Sequence, residues 1–181
     1  MPRPHILLVD DEPNLLRSCE ELLETAGFVV TTSNGGKDAL SKLSSSATAF
    51  DLMLLDLNMP GIDGLHVMRE IKQKSIDICT VVLSGETSFE WVSAAFQLGA
   101  FEYICKPYNY DGLVNTINNA LQKREMEKSF LKLRKQLERS ERLHRFMIES
   151  SPDIIFIVDK PGNFVFVNDR AEDLLGYKKT N

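Results

Sequence analysis

Cysteine is scarce in this chain. Its 181 residues include only Cys19, Cys79 and Cys105, an odd number with no C-x-x-C pair. That argues against a disulfide framework and for buried, reduced thiols in a cytosolic protein. Long apolar runs are missing as well. None approaches the ~20 residues of a membrane span. The four apolar residues before Asp10 in MPRPHILLVDDE are too few for the apolar region of a signal peptide. These absences predict a soluble, cytoplasmic chain without a membrane segment. Excess positive charge is lacking too: the net charge is −5, which argues against general nucleic-acid binding. The charge is uneven, since residues 120–145 hold nine Lys/Arg against four Glu. A solvated helix face explains that run more simply than a polyanion site. Helix breakers are absent from residue 111 to 149, apart from Gly112 at the start.

What is present suits a globular protein, with 43% hydrophobic and 26% charged residues. Short apolar runs at residues 6–9, 28–31, 52–55, 80–83 and 101–105 read as strands. Their nearly unbroken apolar character is that of parallel strands covered on both faces. Segments 14–25, 36–43, 65–74 and 89–98 show helical spacing, and Gly27 and Gly99 follow two of them as C-terminal caps. A fifth helix starts at Asp111 as N-cap, with Leu113, Val114 and Ile117 on its inner face. Alternating strands and helices predict an α/β fold with a parallel sheet between two helical layers.

Polar residues fall at the strand ends. Asp10 and Asp11 close the first strand, Asp56 the third, Ser84 the fourth and Lys106 the fifth. Carboxyl ends of strands are where ligands bind in open α/β sheets. Three carboxylates in one place repel one another unless a cation joins them. An all-oxygen donor set suits Mg2+, and a phosphoryl group at such a site needs the positive charge of the metal and Lys106. Asp56 is then the nucleophile. Taken singly these residues have plainer roles: Asp11-Glu12-Pro13 can cap a helix, with Pro13 at its first turn, and Asp56 can begin a turn. Their joint placement favours chemistry.

Four stretches, ILLVDDEP, LMLLDLNMPGIDG, VVLSGE and YICKPY, resemble two-component response-regulator receiver domains, and the resemblance runs from Pro4 to about Gln122. It implies a flavodoxin-like, doubly wound sheet of five parallel strands in the order 2-1-3-4-5. It implies phosphorylation of Asp56 by a histidine kinase or phosphotransfer protein, with Mg2+ held by Asp10, Asp11, Asp56 and the Asn58 carbonyl. It also implies that Lys106 pairs with the phosphoryl oxygens and that Lys106–Pro107 is a cis peptide. The Ser84 hydroxyl would move toward the phosphoryl group and Tyr103 would turn inward, remodelling the face made by the fourth helix, the fifth strand and the fifth helix. Such a receiver is a signalling module that catalyses only its own phosphorylation and dephosphorylation. Asn58 and Glu86, each two residues beyond a site residue, are similar to the pair in fast-turnover chemotaxis receivers.

The domains expected are a receiver over residues 1–122, a helical linker over 123–149 and the truncated start of a PAS domain over 150–181. In the linker, Phe130, Leu137 and His144 fall at heptad position a, and Met126, Leu133, Ser140 and Met147 at d. That pattern predicts a homodimer through the linker, and the resemblance adds the face of the fourth helix, fifth strand and fifth helix as a second or joint dimer surface. The stretch FMIESSPDIIFIVDKPGNFVFVNDRAEDLLGY is similar to the opening strands and first helix of PAS sensor domains. Other readings fit less well. Aspartyl-phosphate phosphatases favour D-x-D, where this chain has Asn58. A pure scaffold would not need the intact set of five site residues. His144, in LHRFMIES, lacks the surroundings of a kinase phospho-acceptor. Trp91 and Phe96 are expected to be half-buried packing residues.

Overall fold

The computed structural model describes residues 3–45 and 50–176. Two compact units emerge, Met1–Met126 and Glu127–Asn181. In the first, five strands alternate with helices. The strands are β1 (His5–Val9), β2 (Val29–Ser33), β3 (Leu52–Asp56), β4 (Cys79–Ser84) and β5 (Ala100–Cys105). The helices are α1 (Pro13–Thr25), α2 (Gly36–Ser44), α3 (Gly64–Gln73), α4 (Phe89–Gln97) and the start of α5 (Tyr110–Glu149). The strands form one parallel sheet in the order β2-β1-β3-β4-β5. This is the flavodoxin-like topology expected.

Strand periodicity divides the core into two layers. Ile6, Leu8, Leu52 and Leu54 face α1 and α5 through Leu16, Cys19, Leu23, Leu113 and Ile117. Leu7, Val9, Met53 and Leu55 face the other way, toward Ala39, Val67, Met68 and Ala95 of α2, α3 and α4. Central β1 and β3 are therefore apolar on both sides, as the sequence required.

Several local expectations need correction. Strand β2 begins one residue later than expected and runs on through Thr32 and Ser33. Ser33 is buried at the end of this edge strand, and its polarity is tolerated because its hydroxyl donates to the Asp38 carboxylate at 2.7 Å. Helix α5 is capped by Asn109, whose Oδ1 accepts from the Asp111 N–H at 2.8 Å and the Gly112 N–H at 3.3 Å; Asp111 lies inside the helix. Gly27 and Gly99, with φ of 96° and 100°, do close their helices. Trp91 is half-buried, but Phe96 is exposed.

Burial of the cysteines holds for Cys19 alone, since Cys79 is intermediate and Cys105, at the end of edge strand β5, is exposed. Burial pushes the Cys19 thiol up to about 11. Thiolate is the reactive form, so iodoacetamide at pH 8 should label Cys105 first and leave Cys19 unmodified until the protein unfolds. Mass spectrometry of the labelled peptides checks this, and early labelling of Cys19 would contradict the packing of α1.

The first turns of α5 beyond its buried face are tied down within the first unit. Arg124 Nη2 lies 2.9 Å from the Asp77 carboxylate and donates to the Asp77 carbonyl at 2.6 Å, and Lys123 lies over the Phe101 ring at 5.3 Å. In the second unit, β6 (Phe156–Val158) and β7 (Phe164–Val167) make an antiparallel hairpin, followed by α6 (Arg170–Leu175). Asp159 accepts from the Asn163 N–H at 2.8 Å across the turn. Buried Asn168 donates to the carbonyls of Ile148 and Asp153, each at 3.0 Å, and accepts from the Ile155 N–H at 2.9 Å. One side chain thus fastens the hairpin to the end of α5. Gly176, with φ of 72°, follows α6; the Tyr177 of the expected closing motif lies outside the described residues.

Candidate functional site

The five site residues meet because four parallel strands end together. Asp10 and Asp11 follow β1, Asp56 and Ser84 end β3 and β4, and Lys106 follows β5. The register sets Asp56 beside Leu83 and Ser84 beside Cys105, so the polar residues line one edge of the sheet. Asp10 is 1% exposed, Asp56 5% and Ser84 0%, while Asp11 is half-buried.

Asp10, Asp11 and Asp56 each bring a carboxylate oxygen within 4.8 Å of the others. Lys106 Nζ bridges two of them, 2.7 Å from Asp10 Oδ2 and 2.9 Å from Asp56 Oδ2. Burial alone would lower the Lys106 pKa, but the hydrogen bonds to Asp10 and Asp56 outweigh it and hold the pKa above the ordinary value. The other oxygens are oriented from the backbone. Asp10 Oδ1 accepts from the Glu12 N–H at 2.9 Å, and Asp56 Oδ1 accepts from the Asn58 N–H at 3.3 Å. One ammonium against three carboxylates leaves negative charge uncompensated in a mostly buried place, which costs free energy. A hard divalent cation fits this all-oxygen donor set.

The loop after Asp56 is held close by glycine. The Gly64 N–H donates to the Leu57 carbonyl at 3.0 Å, and Asp63 caps α3 through the His66 N–H at 2.7 Å. A Cβ on Gly64 would strike the Asp56 carbonyl oxygen and come within 2.8 Å of Leu57 Cα. Gly64→Ala should therefore destabilise the first unit by about 1–3 kcal/mol, the usual cost of overpacking. Urea denaturation checks it, and an unchanged midpoint would mean that the β3–α3 loop is free to yield. The sequence did not single out Gly64; its place at the end of PGIDG was the available signal.

On the other side of Asp56, the β4–α4 loop is a short relay of hydrogen bonds. Ser84 Oγ accepts from the Glu86 N–H at 3.1 Å, and Tyr103 Oη donates to the Glu86 carbonyl at 2.6 Å. The Glu86 carboxylate accepts from the N–H groups of Thr87 at 3.1 Å and Ser88 at 2.9 Å, and these bonds, Ser88 first, hold its pKa below the usual carboxylate range. Ser84 and Tyr103 thus meet the same residue. The Lys106–Pro107 bond is cis, as the resemblance implied. His5 Nε2 lies 2.8 Å from Thr31 Oγ1 and packs on Phe50, while His66 is exposed, so neither joins the site.

Residues 6–118 match the response regulator receiver domain model, and those residues make up most of the chain. The chain belongs to the response regulator receiver family. Residues 141–181 match a PAS domain model, a match that begins inside α5. Among curated relatives, response regulator SaeR of Staphylococcus aureus is 38% identical over 117 residues, covering 65% of this chain and 50% of SaeR. The chain therefore spans about half the length of the curated relatives it matches. Among solved structures, a CheY-like receiver domain protein of Methanospirillum hungatei matches with TM-score 0.66 and 27% identity, covering 70% of this chain and 99% of that one. The response regulator TrrA of Thermotoga maritima, in complex with Mg2+ and BeF, matches with TM-score 0.58 and 33% identity over 65% of this chain and 98% of its own. The receiver family supports a role in two-component phosphorylation signalling, and no helix among the described residues is long and apolar enough to cross a membrane.

Proposed function

We propose that Asp56 accepts a phosphoryl group from a histidine kinase or phosphotransfer protein, and that the receiver passes this state through α5 to the PAS segment. The convergence of Asp10, Asp11 and Asp56 around Lys106 carries this reading. A carboxylate oxygen of Asp56 attacks the phosphorus of a phosphohistidine. The P–N bond breaks, the imidazole leaves with the bonding pair, and an acyl phosphate remains on Asp56. Mg2+ held by Asp10, Asp11, Asp56 and the Asn58 carbonyl would supply positive charge to the transferring oxygens. Lys106, already bridging two carboxylates, stays charged and is placed to pair with a phosphoryl oxygen. The receiver catalyses only this transfer and its hydrolysis.

Ser84 links chemistry to conformation. To donate to a phosphoryl oxygen its hydroxyl turns toward Asp56, away from the Glu86 N–H. The loop carrying Glu86 then moves, and with it the carbonyl that holds the Tyr103 hydroxyl. Tyr103 lies on β5, so the α4–β5–α5 face changes as the site fills. That face and the linker helix are the two surfaces for a homodimer. The receiver unit is residues 1–122, the linker 123–149 and the PAS start 150–181.

Acetyl phosphate with Mg2+ should place one phosphoryl group on the chain, seen as an 80 Da mass increase. Beryllofluoride with Mg2+ should shift backbone amide signals of Ser84, Glu86 and Tyr103 together. Phosphorylation without those shifts would leave Asp56 as acceptor and remove the Ser84–Glu86–Tyr103 coupling.

A further inference from the structure

The linker half of α5 carries exposed apolar side chains, four of which fall on one stripe that no described residue covers. Phe130, Leu133, Leu137 and Met147 are 66%, 65%, 59% and 52% exposed. They fall at a, d, a and d of one heptad frame, with Ser140 and His144 filling the d and a positions between Leu137 and Met147. We infer that this stripe is the seam of a parallel, in-register homodimer, its partner being the same segment of a second copy of this chain. The inference deepens the proposed relay through α5 and rests on the heptad, not on the chemistry at Asp56.

The order of polar and apolar layers selects both partner and direction. In parallel register every seam residue meets its own copy. Phe130, Leu133 and Leu137 form three successive apolar layers, the two hydroxyls of Ser140 face each other, the two imidazoles of His144 face each other, and Met147 closes the seam. Polar groups then meet groups able to hydrogen-bond with them. Pairing the whole seam antiparallel sets Leu133 against His144 and Leu137 against Ser140, which removes polar groups from water without a partner. A shorter antiparallel overlap around Phe130 and Leu133 keeps the apolar pairs but leaves Met147 uncovered.

Charge placement points the same way. The linker is strongly basic, and two copies would repel if those charges faced one another. Lys128, Lys132, Lys135, Arg139 and Arg142 instead occupy positions c and f, on the far side from the seam. Across a parallel seam the flanking pairs are Ser129 with Arg134 and Gln136 with Glu141, so no like charges are opposed. The antiparallel arrangement would gain an Arg134–Glu141 attraction, but exposed pairs contribute little, and Arg134 already bonds Glu138 of its own helix at 3.1 Å.

The test is disulfide trapping in the full chain, with Cys79 and Cys105 replaced by serine to remove reactive background thiols. Met147→Cys should cross-link to itself under mild oxidation, because parallel register makes its two copies neighbours. In the full-length antiparallel seam residue 147 lies beside residue 130 of the partner, so a mixture of Met147→Cys and Phe130→Cys chains would cross-link only to each other. That result, or no cross-link for Met147→Cys alone, would overturn the inference. Sedimentation velocity of the unsubstituted chain should show concentration-dependent dimerisation that Leu137→Lys weakens at least about tenfold; a monomer at every concentration would also overturn it. Phosphorylation of Asp56 by acetyl phosphate, measured on the same samples, separates failure of the seam from failure of the receiver chemistry.

Discussion

Asp56→Asn should abolish phosphoryl uptake from acetyl phosphate, reducing the mass-shifted fraction to background while leaving the fold intact. The amide keeps the shape of the carboxylate, so the buried end of β3 is not repacked, but it is no longer a nucleophile of the needed kind. Removing this charge has two opposed effects on stability. It deletes the 2.9 Å contact with Lys106, and it relieves repulsion among three carboxylates. Lys106 retains its 2.7 Å contact with Asp10, so the net change in the absence of metal should stay within about 1 kcal/mol. Mg2+ exposes the difference. A cation at 10 mM with a dissociation constant of ~1 mM stabilises the native state by about 1.4 kcal/mol. The unsubstituted protein should show a gain of that size in thermal melts, and the Asn variant much less. Phosphorylation persisting in Asp56→Asn would move the acceptor to another carboxylate and undo the assignment.

How much of this was legible beforehand follows from what each residue must satisfy. Strands β1, β3 and β4 were readable because burial on both faces leaves an uninterrupted apolar run. The candidate site residues stood out because a charged group right after such a run lies at the carboxyl edge of the sheet. Edge elements were harder. Thr32 and Ser33 extend β2 although they are polar, and Ser33 is buried there because Asp38 accepts from its hydroxyl, a partner that an apolar pattern cannot reveal. Cys105 looked buried from its apolar neighbours, yet it closes edge strand β5 and is exposed. Helix starts depend on a few backbone angles, so Asn109 could not be separated from Asp111 as the cap of α5. The Glu86 relay was hidden for another reason. Its contact with Tyr103 is made by a main-chain carbonyl, and any residue at position 86 has one. Gly64 illustrates the same limit, because its value lies in the missing Cβ beside the Asp56 carbonyl.

Lys106→Met should be the most destabilising single change at the site. Its side chain is only 17% exposed, and its ammonium bridges Asp10 and Asp56, whose side chains are 2% and 7% exposed. Removing one partner from a buried pair costs about 3–5 kcal/mol, because the charge left behind is desolvated and unmatched. The lower end applies here, since Asp11 leaves the site open on one side. For a domain of this size that corresponds to a fall in melting temperature of roughly 10–15 °C. The pH dependence has a definite sign. The Lys106 pKa is raised in the folded state, so its contribution is fully present below the ordinary lysine value. It is lost only as pH rises through the higher folded value. The stability gap between the two proteins should therefore be flat between pH 6 and 9. Mg2+ should narrow it, because the ammonium and the metal compete for the same carboxylates, and the Met variant leaves them free. Melting temperatures measured with and without 10 mM Mg2+ decide this. Equal increments in both proteins would mean that Lys106 and Mg2+ do not compete for the carboxylates of Asp10 and Asp56, and a gap that closes below pH 9 would place its stabilising role elsewhere.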